Sequence, residues 1–222
     1  MTAGELLVTE TFASIQGEGV RSGVPTAFLR LARCPLRCTW CDSAYTFTGG
    51  ERVTLDAAVA RLGAYGPLPN VCITGGEPLV QRREVRALIP LLFARLPALR
   101  SVEIETSGSQ LLWAAEPRLH WNLDVKCPRS GMAQHNRWDN LALLRPGDEV
   151  KFVIAGRDDF DYAAGVVRER LADLPVVSYF NPAWGLVEPA ELVAWLLAEP
   201  PPNTRLGLQA HKYIWGPDVQ GV

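Results

Sequence analysis

Cys34-Pro-Leu-Arg-Cys38-Thr-Trp-Cys41-Asp42 places three cysteines within eight residues. Thiolates this close converge from one loop onto one inorganic centre. The chain has five cysteines, and the other two, Cys72 and Cys127, stand alone. An odd count argues against a disulfide framework, and clustered thiols in a reducing compartment point to a metal. Three cysteines on a [4Fe–4S] cube leave one iron without a protein ligand, open to a substrate or cofactor. A structural zinc site closes all its positions. It would have to recruit Cys72, Cys127, His120, His135 or His211 from far along the chain, and a zinc-stabilised binding module stays open as an alternative.

Outward from this stretch the chain reads as strand then helix, repeatedly. Leu6–Ala13 and Thr26–Ala32 read as strands around the glycine-rich turn Gln16–Gly23. Further strands are expected over Asn70–Thr74, Ser101–Thr106, His120–Lys126, Glu149–Ile154, Pro175–Phe180 and Thr204–Gln209. Helices are expected over Thr54–Leu62, with Thr54 as N-cap, over Val80–Leu96 with a kink at Pro90, over Phe160–Leu171 and over Glu188–Glu199. Alternation of this kind argues for parallel βαβ units. About six fit the 222 residues, too few for a closed barrel. The expectation is an α/β fold, a partial, open (βα)6-type barrel in abbreviated or modified form, with 1–222 as a single domain and a doubly wound sheet as runner-up. In either fold chemistry gathers at the C-terminal ends of strands. Arg33-Cys34, Thr74-Gly-Gly-Glu77, Thr106-Ser-Gly108, Lys126-Cys-Pro128 and Asn181-Pro182 each follow a strand.

Lys and Arg number 22 against 24 Asp and Glu, so bulk charge argues for neither a nucleic-acid nor a membrane partner. No apolar run approaches the roughly 18 residues of a spanning helix. Met1-Thr-Ala-Gly-Glu-Leu-Leu-Val8 lacks a basic start and apolar core, so a cytoplasmic protein is expected.

The C-x3-C-x2-C spacing with Trp40 before the last cysteine, joined by the Thr74-Gly-Gly-Glu-Pro78 turn, resembles the radical S-adenosylmethionine superfamily. The resemblance implies that one electron from the reduced cluster cleaves the sulfonium bond of S-adenosylmethionine, and that the resulting radical takes a hydrogen atom from the substrate. The chain also carries Phe12-Ala-Ser-Ile-Gln-Gly-Glu-Gly19, Arg30, Cys41-Asp-Ser43, Ile104-Glu-Thr-Ser-Gly108 and Gln209-Ala-His-Lys-Tyr213. With these it resembles the 7-carboxy-7-deazaguanine synthases over nearly its whole length. That implies conversion of 6-carboxy-5,6,7,8-tetrahydropterin to 7-carboxy-7-deazaguanine with loss of ammonia, on the route to 7-deazapurines such as queuosine. It also implies Mg²⁺, an external one-electron reductant such as a flavodoxin-like protein, and a homodimer.

Carried over residue by residue, the resemblance implies substrate contacts from Ile15, Gln16, Gly17, Glu18, Arg30, Thr74, His211 and Pro217. It implies cofactor contacts from Trp40, Cys41, Asp42, Gly76, Glu77, Ser107, Asp124, Lys126, Asn181 and Trp184. It implies cluster ligation by Cys34, Cys38 and Cys41, and Mg²⁺ ligation by Ser43, where many relatives carry Thr. Five residues follow Pro217, so its carbonyl rather than a terminal carboxylate is expected there. The residues suit these roles. Gln16 and Glu18 can pair a pterin edge, and Glu77 can accept from an ammonium. Arg30, inside the apolar strand Phe28-Leu-Arg-Leu31, offers a two-point donor to a carboxylate. Plainer readings stand beside them: a solvated turn for Gln16 and Glu18, a structural ion pair for Arg30, a helix cap for Ser43, core packing for His211 and Trp184. A second enzymatic reading is a radical activase acting on a partner protein. The Gln-Gly-Glu-Gly turn and Arg30 argue against it, since a protein substrate needs no pterin pocket.

Overall fold

The computed structural model describes residues 4–222. Strand β1 (Glu5–Ile15) and strand β2 (Pro25–Leu31) form an antiparallel hairpin. Its turn is closed by Gln16 N–H to Val24 O and Gly23 N–H to Gln16 O, each 2.8 Å. β3 (Glu51–Thr54), absent from the sequence reading, pairs antiparallel with the outer side of β1. Four residues at a sheet edge carry too little pattern to be read in advance.

From β2 onward the sheet is parallel through β4 (Asn70–Gly75), β5 (Ser101–Thr106), β6 (Leu119–Asp124), β7 (Glu149–Ile154), β8 (Val177–Pro182) and β9 (Thr204–Leu206). The nine strands run in the order β3-β1-β2-β4-β5-β6-β7-β8-β9, and the ends do not meet. The open, partial barrel expected from the sequence is the observed architecture. Its abbreviation lies in the crossovers. Helices α1 (Leu55–Gly63), α2 (Arg82–Arg95), α3 (Arg157–Val166) and α4 (Pro189–Ala198) fill four of them, whereas β5 to β6 has no helix and β6 to β7 has only short 3-10 turns.

Thr54 caps α1 as read, its Oγ1 accepting from Ala57 N–H at 3.2 Å. α1 buries Leu55, Ala58, Val59 and Leu62, a helical stripe. α2 passes unbroken through Pro90, which is exposed, so water can reach the carbonyl that proline leaves unbonded. α3 begins three residues before the expected Phe160 and widens into a π turn at Val167–Leu171. β6 stops two residues short of the expected Lys126. β9 also ends early, and the segment after it is a short helix, α5 (Ala210–Trp215).

Strand alternation sorts the two faces of the sheet. The convex face packs on the helices through the fully buried Trp121, Phe152, Phe160 and Phe180, with ring centroids 5.3 Å apart for Phe152–Phe180 and 5.6 Å for Phe160–Phe180. The concave face is polar. Thr74, Glu105, Asn122, Asp124, Lys151 and Asn181 all line one cavity there. Parallel strands covered on both faces are normally apolar throughout. This departure marks the concave side as the place where function sits.

Below that cavity Glu103 and Glu149 are fully buried. Gln16 Nε2 donates to Glu103 Oε2 at 2.8 Å, and Val20 N–H donates to Glu149 Oε2 at 2.6 Å. Burial, then repulsion from Glu105 and Glu149, pushes the Glu103 carboxyl up to about 8. The folded state therefore keeps a proton that the unfolded state has released by about pH 5. Stability falls as pH rises from there to about pH 8, because the native state binds more protons than the unfolded one. Glu103→Gln removes this titration. Thermal unfolding of both apoproteins from pH 5 to pH 8.5 is expected to show the wild type losing stability relative to the variant; parallel curves would show that Glu103 does not hold that proton.

Candidate active site

The loop after β2 turns at Arg33, whose positive φ of 80° swings the chain over the strand ends. Arg33 N–H is held by Thr46 O at 2.8 Å, and Thr39 is tied to the turn after β6 through Ser130 O at 3.2 Å and Arg129 O at 2.8 Å. Cys34, Cys38 and Cys41 are half-buried free thiols, and all three line a cavity of about 500 Å³ at the C-terminal ends of the parallel strands. The Gly75–Gly76 turn packs directly against this loop. Gly76 N–H donates to Leu31 O at 3.0 Å and Glu77 N–H to Arg33 O at 2.8 Å. A Cβ on Gly76 would lie 2.2 Å from Arg33 O, so only glycine fits.

The donor set fits a [4Fe–4S] cluster. Neither Cys72 nor Cys127 lines this cavity, so the three thiols have no fourth cysteine beside them to close a zinc site. A cube is wider than an ion, and three thiols around one opening match it with a corner to spare. Beside them the Trp40 indole N–H and Asp124 Oδ1 are buried without partners, as a site shaped for a polar occupant leaves them. Burial raises the three thiols above their ordinary pKa, with the Lys126 ammonium pulling the other way. Lys126 Nζ is 2.9 Å from Asp124 Oδ2 and 5.2 Å from the centre of the Trp40 ring.

Glu77 departs from its expected place. Its side chain does not line the cavity: it is fully buried, and its carboxylate accepts from Leu79 N–H and Thr106 Oγ1, each 2.8 Å, and from Ser107 N–H at 2.7 Å and the Ser107 hydroxyl. With these donors in place it has no face left for a ligand ammonium. Its work is to clamp the glycine turn to the end of β5, and the cavity wall there is Gly76, Thr106 and Ser107.

Opposite the cysteine loop lie Ile15, Gln16, Gly17, Glu18, Arg30, Thr74, His211 and Pro217, all lining the same cavity as read from the sequence. Glu18 and Gln16 are buried, which excludes the solvated turn. Glu18 accepts from Lys151 Nζ at 2.9 Å, Asn181 Nδ2 at 3.2 Å and Gln209 Nε2 at 2.9 Å. Burial alone would lower Lys151, but Glu18, Glu105 and Asp124 outweigh it and hold the ammonium well above its ordinary pKa. Arg30 Nε pairs with Glu10 Oε1 at 2.7 Å, while its terminal amino groups have no partner among the described residues. Thr74 Oγ1 donates to Glu105 at 2.8 Å.

α5 closes the far side. Ala210 N–H bonds Gly17 O at 2.9 Å, and Lys212 Nζ reaches Asp42 Oδ2 at 2.7 Å. Burial opposes charge on Asp42, yet Lys212 prevails and holds the carboxyl well below its usual range. Ser43 makes no capping bond; its hydroxyl donates to Asp42 Oδ1 at 3.0 Å. Trp184 is not core. It lies exposed at the rim, edge-on to Tyr213 at 5.1 Å. Burial lowers His211, disfavouring the imidazolium, while Glu18 pulls the other way. Residues 218–222 run along the same cavity. The sequence reading missed Glu10, Tyr45, Glu105, Asn122, Lys151 and Lys212, although charged residues alternating along parallel strands were a usable signal.

Comparison with known proteins agrees with this geometry. The pattern of the Radical SAM superfamily matches residues 30–120. The 7-carboxy-7-deazaguanine synthase of Koribacter versatilis is 41% identical, over 97% of this chain and 99% of the relative. That of Chlorobaculum tepidum is 38% identical over 100% and 99%. The crystal structure of QueE from Escherichia coli superposes with a TM-score of 0.71 at 24% identity, covering 93% of this chain and 95% of that one, which establishes the shared fold. Three thiols at one strand end, a glycine turn pressed against them and full-length relatives of one kind lead to the same place: this chain belongs to the 7-carboxy-7-deazaguanine synthase family of radical S-adenosylmethionine enzymes, which use a [4Fe–4S] cluster and S-adenosylmethionine.

Proposed function

We propose that this chain converts 6-carboxy-5,6,7,8-tetrahydropterin to 7-carboxy-7-deazaguanine with release of ammonia, with Cys34, Cys38 and Cys41 holding the cluster and Ser43 contributing an oxygen to Mg²⁺. The observation that carries the reading is that the three-thiol loop and the Gln16, Glu18 and Arg30 cluster open into one cavity. When bound, the cluster and S-adenosylmethionine supply hydrogen-atom abstraction at the substrate.

The chain's own residues bind and orient. Arg30 is held by Glu10 through Nε, which leaves its two-point face for the substrate carboxylate. Glu18, fixed by Lys151, Asn181 and Gln209, presents a stationary acceptor to the pterin, and the backbone of Ile15–Glu18 adds donors and acceptors beside it. His211 lies against Gly17 and completes that wall. Gly76, Ser107, Asp124, Lys126 and Asn181 surround the cofactor side. Trp184, braced edge-on by Tyr213, stands at the rim on the cofactor side. Pro217 reaches the substrate through its carbonyl. Asp42, charged against Lys212, holds the Ser43 hydroxyl toward the metal. A one-electron donor of the flavodoxin type reduces the cluster, and the protein works in the cytoplasm as a homodimer.

Anaerobic incubation of reconstituted protein with 6-carboxytetrahydropterin, S-adenosylmethionine, Mg²⁺ and reductant is expected to yield the deazaguanine product; no product from protein with an intact cluster would refute the reading. Cys38→Ala is expected to abolish both iron–sulfur absorbance and turnover, and a full cluster in that variant would remove the ligand assignment. Arg30→Ala is expected to weaken substrate binding by about 10- to 100-fold, the worth of a charge-assisted pair, while uncoupled cleavage of S-adenosylmethionine persists. Unchanged substrate affinity would show that Arg30 serves only Glu10.

A further inference from the structure

Asn122 lies within β6, in register with Glu105 of β5 on one side and Glu149 of β7 on the other. Its side chain is 1% exposed and lines the cavity. Neither Oδ1 nor Nδ2 has a hydrogen-bond partner, and among the described residues no other side chain has two buried atoms left unmatched. Its neighbours on the concave face each have at least one partner, although Asn181 Oδ1 and Asp124 Oδ1 are also left without one. Thr74 and Glu105 bond each other, Lys151 bonds Glu18, and Asn181 uses its Nδ2 on Glu18. A buried amide with both ends idle is costly, and a ligand with a matching edge relieves that cost.

We propose that Asn122 is a substrate-binding residue that reads the pyrimidinone edge of the pterin, where a ring carbonyl stands beside a ring N–H. This rests on the activity proposed above. An amide presents one donor and one acceptor side by side, which is the complement of that edge. Charge points the same way. Glu105, in register with Asn122 and lining the same cavity, repels an anion, so the substrate carboxylate turns away from it, toward Arg30. Arg30 on β2 and Asn122 on β6 are three strand spacings apart in the sheet order, roughly 14 Å of backbone from which both side chains reach inward. A carboxypterin laid between them meets a cation at one end and a neutral amide at the other.

The pyrimidinone edge is unchanged when the second ring contracts. A contact to it binds substrate, transition state and product alike, so it lowers KM without raising kcat. This separates Asn122 from a merely structural amide.

The test uses anaerobically reconstituted holoenzyme carrying Asn122→Leu, a substitution of similar volume. Affinity for 6-carboxytetrahydropterin and for 7-carboxy-7-deazaguanine, measured by equilibrium dialysis, is expected to fall together by about 10- to 100-fold, the loss from an unmatched hydrogen-bonding edge. Expected alongside are kcat within about twofold, unchanged cluster absorbance and S-adenosylmethionine affinity, and an apoprotein that melts no lower than wild type, since the idle amide has gone. Should Asn122→Leu fail to fold, Asn122→Asp keeps the shape and the acceptor but loses the donor, and must weaken both ligands as well. Wild-type affinity for both ligands in a variant, with or without a lower melting temperature, overturns the proposal and leaves the activity standing. A wild-type holoenzyme that binds no pterin overturns the activity, and the proposal with it.

Discussion

The site depends on how closely the glycine turn after β4 lies against the end of β2. A Cβ on Gly75 would fall 2.2 Å from Leu31 O, and one on Gly76 would fall 2.2 Å from Arg33 O. No side chain fits between these backbones, so the cysteine loop and the turn pack backbone against backbone. Glu77 secures it from beneath by gathering Leu79, Thr106 and Ser107 onto a single carboxylate. The most acidic-looking feature of the turn is thus its fastening, and the small residues beside it form the surface that a cofactor meets.

A second constraint joins chain segments far apart in sequence. Glu18 with Lys151, and Asp42 with Lys212, tie the first hairpin, the cysteine loop, β7 and α5 around one opening. Neither pair adds much net stability, since desolvation cancels much of the attraction at the buried Glu18–Lys151 pair and solvent screens the half-exposed Asp42. Their value here is geometric. Each carboxylate is held by more than one donor, so its direction is set before a ligand arrives. Preorganised charge orients a small polar substrate without further reorganisation at the moment of binding.

Much of this was legible beforehand. Eight of the nine strands, the four long helices and the open barrel followed from patterning, because apolar periodicity records which face is buried; the short edge strand β3 did not. Thr54 was readable as a cap because capping is local chemistry. Pro90 misled because a proline breaks a helix only where its orphaned carbonyl has no water. α5 was missed because its six residues dock through Lys212 and through a backbone bond to Gly17, neither of which leaves an apolar period.

The amino-acid sequence by itself determined the three-thiol loop, the glycine turn and the strand ends on which they sit, since these rest on spacing and local backbone freedom. Only the tertiary structure decided that Glu77 faces inward, that Glu18 is anchored by Lys151, and that Asn122 is left with two idle atoms in a cavity wall. Those outcomes depend on which side chains from distant strands meet across the concave face. That is a matter of register and sheet curvature, and neither is written in any single segment of the chain.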